Sequence, residues 1–410
     1  MQIALMTENR ILSFTLPLVL AAVSAFLAVN WIYFKVLRIA KKKEIVDKPG
    51  ERKLQQLPVP IMGGFAVFFG VVTGVLAGFS FFRIFSSGTM HSLTPILCAM
   101  VMMVYVGLID DVNGLSPRSR IVVEILTLLG LIFAGGGCVD SLHGLWGVTS
   151  FSWWIAVPLT VFAGVGIINA VNMIDGVNGL SSGLCITCCL LFGTVFCLIG
   201  DLPDAILAFS MATALVPFFF HNVFGLRSRM LIGDAGTMMM GVVMAWFTIC
   251  ILRSDSPLGP LAAGRNVNLI ALALAILSVP VFDTLRVMAQ RILRGKSPFL
   301  PDKNHLHHLF IHLGFSHSIT ALTEILFDVL IVAVWGLSVL LHASLAWQLY
   351  CVILAAIVLV WGSSLLLGVP EEKQSRFVRR LAAFSPKTHL ANATWWRRFQ
   401  RWLDAPEKRN

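Results

Sequence analysis

Long apolar runs separated by short polar connectors set the pattern of the chain. They recur at 11–39, 58–82, 93–109, 121–137, 152–172, 180–200, 205–222, 230–252, 268–290, 321–343 and 346–368. A helix needs about 20 residues, and at the least about 17, to cross ~30 Å of hydrocarbon, so each run is a candidate span. Apolar residues are continuous within the runs and do not alternate, which suits helices and not the strands of a membrane barrel. The pattern predicts an all-α, polytopic bundle of about eleven transmembrane helices.

Composition agrees with this. The 410 residues are 57% hydrophobic and 13% charged, against about 25% charged in soluble domains. The first run is too long for the apolar core of a signal peptide and is followed by KVLRIAKKK instead of a small-residue cleavage site, so it is expected to stay as the first helix. The eight Cys lie in or at the ends of apolar runs, where Cys packs as a small hydrophobe. Cys185, Cys188 and Cys189 are expected to fill space and not to form a metal or redox site.

Charge adds an orientation. With loops counted alternately from an N-terminus outside, every Lys and Arg falls on the inner side except Arg10, Arg83, Arg253 and Arg265. This positive-inside asymmetry puts the C-terminus on the cytoplasmic side of a plasma membrane. The formal net charge of +10 suits anionic lipid and an anionic substrate at that face, and no motif supports a nucleic-acid partner. Residues 1–370 are read as one membrane domain and 371–410 as a basic, Trp-rich cytoplasmic tail. In the tail, TWWRRFQRWL (394–403) sets Trp395, Trp396, Phe399, Trp402 and Leu403 among Arg397, Arg398 and Arg401, the composition of a helix lying in the headgroup layer.

The inner loops carry more polar and Gly content than a connector needs. They are VDKPGERKLQQLPVPIMGG (46–64), DDVNGLSPRSR (110–120), NAVNMIDGVNGL (169–180), HNVFGLRSRMLIGDAGT (221–237) and RGKSPFLPDKNHLHHLFIHLGFSHS (294–318). Asp110 and Asp111 end the third run; adjacent carboxylates at a membrane boundary repel, so they are either a solvated loop start or the holders of a cation. Asp175 stands among Asn169, Asn172 and Asn178, whose amides offer neutral donors and acceptors, with Gly176 and Gly179 allowing close approach. That stretch reads as a ligand loop or as a transporter's helix break. Asp234, between Gly233 and Gly236 at the start of the eighth run, reads as an N-cap or as a seat for hydrated Mg2+, with Mn2+ as the alternative.

Five of the ten His fall between 305 and 317. His308 and His312 share a helical face, but no Cys, nearby Glu or HExxH pattern accompanies them, and Arg294, Lys296 and Lys303 make the loop cationic. The loop is read as binding anionic oxygens. Asp283 with Arg286, and Glu124 with Arg120, are read as structural ion pairs.

Taken together these loops resemble the polyprenyl-phosphate N-acetylhexosamine-1-phosphate transferases of glycosyltransferase family 4. The matching pieces, in family order, are DKPGERK, PVPIMGG, the DD of 110–111, NAVNMIDGVNGL, GDAGT, PVFDTLRV and SPFLPDKNHLHHL. HLHH at 305–308 looks like the His signature of the GlcNAc-1-phosphate branch. Asn178 stands where the family often has a second Asp, and Thr237 where it often has Ser.

The resemblance implies transfer of a sugar 1-phosphate from a UDP-N-acetylhexosamine to undecaprenyl phosphate, with UMP released and Mg2+ bound at the cytoplasmic face. It implies that Asp110 and Asp111 act as base or metal support, that Asp234 is a direct Mg2+ ligand and that Asp175 organises nucleotide or sugar. It implies phosphate contacts from His305, His307, His308, Lys48, Arg52 and Lys53, and substrate contacts from Asn169, Asn172, Asn178 and Asn222. Two anionic phosphates must meet, so neutralisation and in-line positioning carry the chemistry. A transporter or flippase is the rival, yet it predicts polar groups on both sides of the membrane and at its middle; a non-catalytic scaffold leaves the inner carboxylates unexplained. A homodimer is left open.

Overall fold

The computed structural model describes residues 2–47, 58–80, 87–298, 304–369, 374–385 and 394–408. Helix α1 (Gln2–Lys42) leads into a short antiparallel hairpin, β1 (Val46–Asp47) and β2 (Val59–Pro60), with Val46 opposite Pro60. There follow α2 (Gly63–Ser80), α3 (Ser87–Asn113), α4 (Pro117–Gly135), α5 (Trp153–Met173), α6 (Leu180–Ile199), α7 (Leu202–Phe224) and α8 (Gly233–Leu252). The second half holds α9 (Leu258–Gly264), α10 (Leu269–Ile276), α11 (Ser278–Leu293), α12 (Leu306–His312), α13 (His317–Leu340), α14 (Leu345–Ala356) and α15 (Ser363–Leu367), the last two joined by a π-helical stretch, Ile357–Gly362. Three helices, α16 (Arg376–Phe384), α17 (Thr394–Leu403) and α18 (Ala405–Lys408), make up the described tail.

This is a polytopic helical membrane protein. Among the described residues nine helices are long and apolar enough to cross a membrane, ten if the pair α9 and α10, bent by 111°, forms one span. The other two runs of the sequence are carried by α4, whose first half holds Arg118, Arg120 and Glu124, and by α10 with α11, which break at Leu277. Pro280 explains that break: it has no N–H to offer the Ile276 carbonyl one turn back. The carbonyl so released accepts the Cys188 thiol at 3.0 Å. All eight Cys are free thiols.

Local chemistry starts the helices where the pattern places them. Ser116 caps α4 by accepting the Ser119 N–H, and Pro117 opens its first turn. Asp201 caps α7 and Asn268 caps α10 in the same way, accepting the N–H groups of Asp204 and Ala271.

Helix α8 is the centre of the bundle, and every residue in it except Asp234 is buried. It packs on α2, α3, α5, α6 and α10. The approach of α3 to its first turn is closer than any side chain would permit: a Cβ on Gly107 would lie 2.4 Å from the Ala235 backbone. The loop before α8 is also stitched to the hairpin. Leu231 N–H donates to Pro60 O at 2.8 Å, and the N–H groups of Gly63 and Gly64 donate to Leu231 O and Ile232 O at 2.8 and 2.7 Å. The ends of α3, α5 and α7 and the starts of α2, α6 and α8 thus meet at one end of the bundle.

Candidate active site

Asp110 and Asp111 lie in the last turn of α3, which continues to Asn113 and does not stop before them. The helix extends because Asp110 closes its own end: its Oδ1 accepts the Leu115 N–H at 2.6 Å, and its carbonyl accepts the Gly114 N–H at 2.9 Å. Asp111 faces the start of α8, where its two oxygens accept the N–H groups of Asp234 and Ala235 at 2.8 and 3.2 Å. From the end of α5, the Asn172 amide donates to Asp234 Oδ1 and to the Thr237 hydroxyl, both at 2.6 Å.

Arg120, one turn into α4, stands among these carboxylates. It is 3.4 Å from Asp110, 3.4 Å from Glu124 and 3.8 Å from Asp234. The Glu124 pairing is the one the sequence suggests; the bridge to Asp110 and Asp234 is added by the fold. Glu124 is fully buried, and Asn169 donates to its second oxygen at 2.6 Å. Asn169 therefore serves Glu124, and Asn172 serves Asp234.

The turn at 174–179 forms the second part. Asp175 accepts the Ser181 hydroxyl at 2.5 Å. Burial pushes its carboxyl up to about 7, against the Ser181 hydrogen bond and with the charges of Asp234 and Asp47 adding to the rise. Asn178 donates its backbone N–H to His317 Nδ1 at 3.3 Å. Asn222 is buried and bridges two loops: its Oδ1 accepts the Gly179 N–H at 2.7 Å and its amide donates to Met230 O at 2.9 Å.

The His loop closes over this turn. A Cβ on Gly176 would lie 2.3 Å from His307 Nε2, so the imidazole rests directly on the glycine. His307 is buried, with its ring stacked on His305 at 5.7 Å and tilted against His308 at 4.4 Å. Burial, together with the neighbouring imidazoles, holds its pKa well below the usual histidine range. His305 Nδ1 is 2.8 Å from Asp283 Oδ2, while Asp283 Oδ1 takes the Arg286 guanidinium at 2.7 Å. The Asp283–Arg286 ion pair read from the sequence is present, and it has the further task of holding His305. His308 is half-buried. Lys48, Arg52 and Lys53 lie outside the described residues.

The donors suit a hard divalent cation. Asp110, Asp111 and Asp234 are near enough for their charges to act on one another. The Asp234 side chain keeps 34% exposure, and among the described residues its Oδ2 accepts no hydrogen bond. Among the described residues no three His, Cys, Asp or Glu form a closed metal cage. Mg2+ does not require one, since it ordinarily takes one or two carboxylates and completes its shell with water and substrate phosphate.

Arg120, Ser181 and Asp283 are the residues whose place in this network sequence reading missed. The basic PRSR at 117–120, which follows the aspartate pair in the sequence, was the available signal for Arg120. Nothing local pointed from Asp283 to a histidine 22 residues away.

A helical membrane bundle that brings Asp110, Asp111, Asp175 and Asp234 together with Asn172, Asn222 and the imidazoles of 305–308 at one end has the layout of a membrane-embedded enzyme working at a single face. The family model for glycosyl transferase family 4 matches residues 93–252. The undecaprenyl-phosphate alpha-N-acetylglucosaminyl 1-phosphate transferase of Escherichia coli O157:H7 is 30% identical over 302 residues, covering 72% of this chain and 76% of the relative. The enzyme of that name from Yersinia pestis is 31% identical over 292 residues, covering 69% and 74%. A probable undecaprenyl-phosphate N-acetylglucosaminyl 1-phosphate transferase of Bacillus subtilis (strain 168) is 29% identical over 366 residues, covering 88% and 95%. The chain belongs to glycosyl transferase family 4, and it is a membrane phosphotransferase.

Proposed function

We propose that this enzyme transfers N-acetylglucosamine 1-phosphate from UDP-N-acetylglucosamine to undecaprenyl phosphate at the cytoplasmic face of a bacterial plasma membrane. UMP is released, and the lipid pyrophosphate-linked sugar starts a cell-surface polysaccharide such as O-antigen or common antigen. The observation that carries the reading is the clasp of Asp111, Asn172 and Asp234 at the start of α8, with Asp110 and Arg120 beside it. The names of the relatives support the acceptor, undecaprenyl phosphate, and the transferred group, N-acetylglucosaminyl 1-phosphate.

An oxygen of the acceptor phosphate attacks the β-phosphorus of the donor and forms a new P–O bond. The bond from that phosphorus to the oxygen bridging the α-phosphate breaks, and this oxygen leaves with UMP. Direct attack is preferred over an aspartyl intermediate because the acceptor phosphate is itself a competent nucleophile near neutral pH and needs only modest help from Asp110 as base. Asp234 would hold Mg2+, or Mn2+ in its place, with Asp111 fixing its backbone from behind. When bound, the metal supplies positive charge to phosphate oxygens of donor and acceptor. Arg120 limits the repulsion among the carboxylates. Asp175 and Asn178 face nucleotide or sugar, Asn169 and Asn222 hold the walls of the cleft, and His305, His307 and His308 close it on the phosphate side; the basic residues Lys48, Arg52 and Lys53 contribute charge that suits phosphate.

UMP release by purified protein with undecaprenyl phosphate and Mg2+, measured across UDP-GlcNAc, UDP-GalNAc and UDP-MurNAc-pentapeptide, tests this. Lipid-dependent UMP from UDP-GlcNAc alone, abolished by EDTA and by Asp234→Ala, is the expected result. UMP from another donor would replace the sugar, and none from any donor in a folded preparation would overturn the reading.

A further inference from the structure

Helix α17 is docked on one side only. Trp396 and Phe399 pack edge-on against Phe224, the last residue of α7, with ring centroids 5.2 and 5.8 Å apart, and Leu403 is buried. Asp404 then locks the helix in place. Its carboxylate accepts the N–H groups of Arg227 and Ser228 at 3.2 and 3.0 Å and the Ser228 hydroxyl at 2.7 Å. Those donors hold the carboxylate below its usual range even though burial alone would raise it. Because α7 is a membrane span that ends at Phe224, α17 lies at the level where that span leaves the hydrocarbon.

The other side of α17 is divided. At about 100° per residue, Trp396, Phe399 and Leu403 occupy one arc, Arg397, Arg398 and Arg401 the opposite one, and Trp395 and Trp402 the edge between Phe399 and Arg398. Both edge indoles are open, at 59% and 69% exposure, and the three arginines are exposed. Two indoles held out to water cost solvation free energy; at headgroup depth the same rings sit in their preferred layer and arginine reaches lipid phosphate.

We propose that α17 is a lipid-binding surface, in which Trp395 and Trp402 enter the headgroup layer beside α7 while Arg397, Arg398 and Arg401 bind the phosphates of anionic lipids. The partner is identified by chemistry: a layer offering both an apolar boundary for the indoles and a density of negative charge for three adjacent guanidinium groups. Neither feature depends on the reaction catalysed.

The test uses the full chain in nanodiscs carrying lipids brominated near the headgroup, with either phosphatidylcholine alone or a phosphatidylglycerol mixture. Subtracting the emission of Trp395→Phe/Trp402→Phe from that of the wild type isolates these two indoles among the eleven Trp. The expected result is that the isolated emission is quenched by bromine, more strongly with phosphatidylglycerol. Replacing Arg397, Arg398 and Arg401 by Gln should raise the anionic-lipid fraction needed, since each arginine near such a surface changes binding about fivefold. If that variant fails to fold, the comparison of the two lipid compositions on wild type carries the test alone. An isolated emission that is unquenched in both compositions, or quenched equally in both, would overturn the proposal.

Discussion

Asp111 caps the helix that carries Asp234, its two oxygens accepting two N–H groups of the first turn of α8, those of Asp234 and Ala235. The contact joins residues 123 positions apart, and it aligns the helix start with the carboxylate on the same turn. Asp111→Ala should therefore lower stability by about 0.5–2 kcal/mol, the usual loss for a helix cap, and lower UMP release by about 100-fold or more. Asp111→Asn, which retains one acceptor oxygen, should recover most of the stability and little of the rate. Thermal unfolding in detergent beside single-turnover kinetics separates the two effects; equal losses in both variants would argue against a cap.

Arg120 links Asp110 and Asp234 to buried Glu124. Arg120→Met strands that buried carboxylate and should destabilise the enzyme by about 3 kcal/mol. Adding Glu124→Gln removes the stranded charge and should restore the unfolding temperature without restoring turnover. A double variant that regains both would place Arg120 outside the chemistry.

Asp175 gives the pH dependence a direction. Its carboxyl is pushed up to about 7 by burial, so between about pH 4 and 7 the folded protein keeps a proton that the unfolded chain has released. Its contribution to stability is full below that range, falls as pH rises, and is gone above about 7. Asp175→Asn keeps an acceptor for Ser181 and should gain in relative unfolding temperature from pH 5 to pH 8. Wild-type UMP release should rise through about pH 7 as the carboxylate forms, and the variant should lack that limb. A parallel pair of pH profiles would count against the assignment.

Gly176 and His307 should behave as one unit. Gly176→Ala puts a methyl 2.3 Å from His307 Nε2, and the ring, held between His305 and His308, has little room to retreat. The single variant should lose stability and activity, whereas Gly176→Ala/His307→Ala should be more stable than the Gly176 variant alone. The interaction energy of this cycle is the readout; simple additivity would show that the loop yields without strain.

Much of the bundle was legible because hydrocarbon demands long apolar helices, and that demand writes itself into 17 or more consecutive residues. The split of run 268–290 at Leu277 hung on Pro280, which lies inside a stretch, 269–282, whose other residues are apolar but for Ser278. Asp110, Asp111, Asp175 and Asp234 stood out because carboxylates at the ends of apolar runs are costly. Their partners did not: Asn172 with Asp234, Asp111 with the α8 amides and His305 with Asp283 are contacts between distant segments. One sequence states which residues are polar and leaves unstated which neighbour satisfies each. Asn169 and Asn172 show this plainly, being alike in local setting and three residues apart while serving different carboxylates.

The burial of α8 bears on how the enzyme tolerates its surroundings. Bilayers differ in thickness, and a helix in contact with acyl chains tilts or shifts to match them. Helices α1 and α13 and the α14–α15 span present most of their surface outward and meet that stress first. Enclosed by other helices, α8 makes no such adjustment, so the depth of Asp234 is set by protein contacts alone. The reacting phosphates are thereby offered one fixed height in membranes of different composition, and the site keeps its gauge while the outer helices accommodate the lipid.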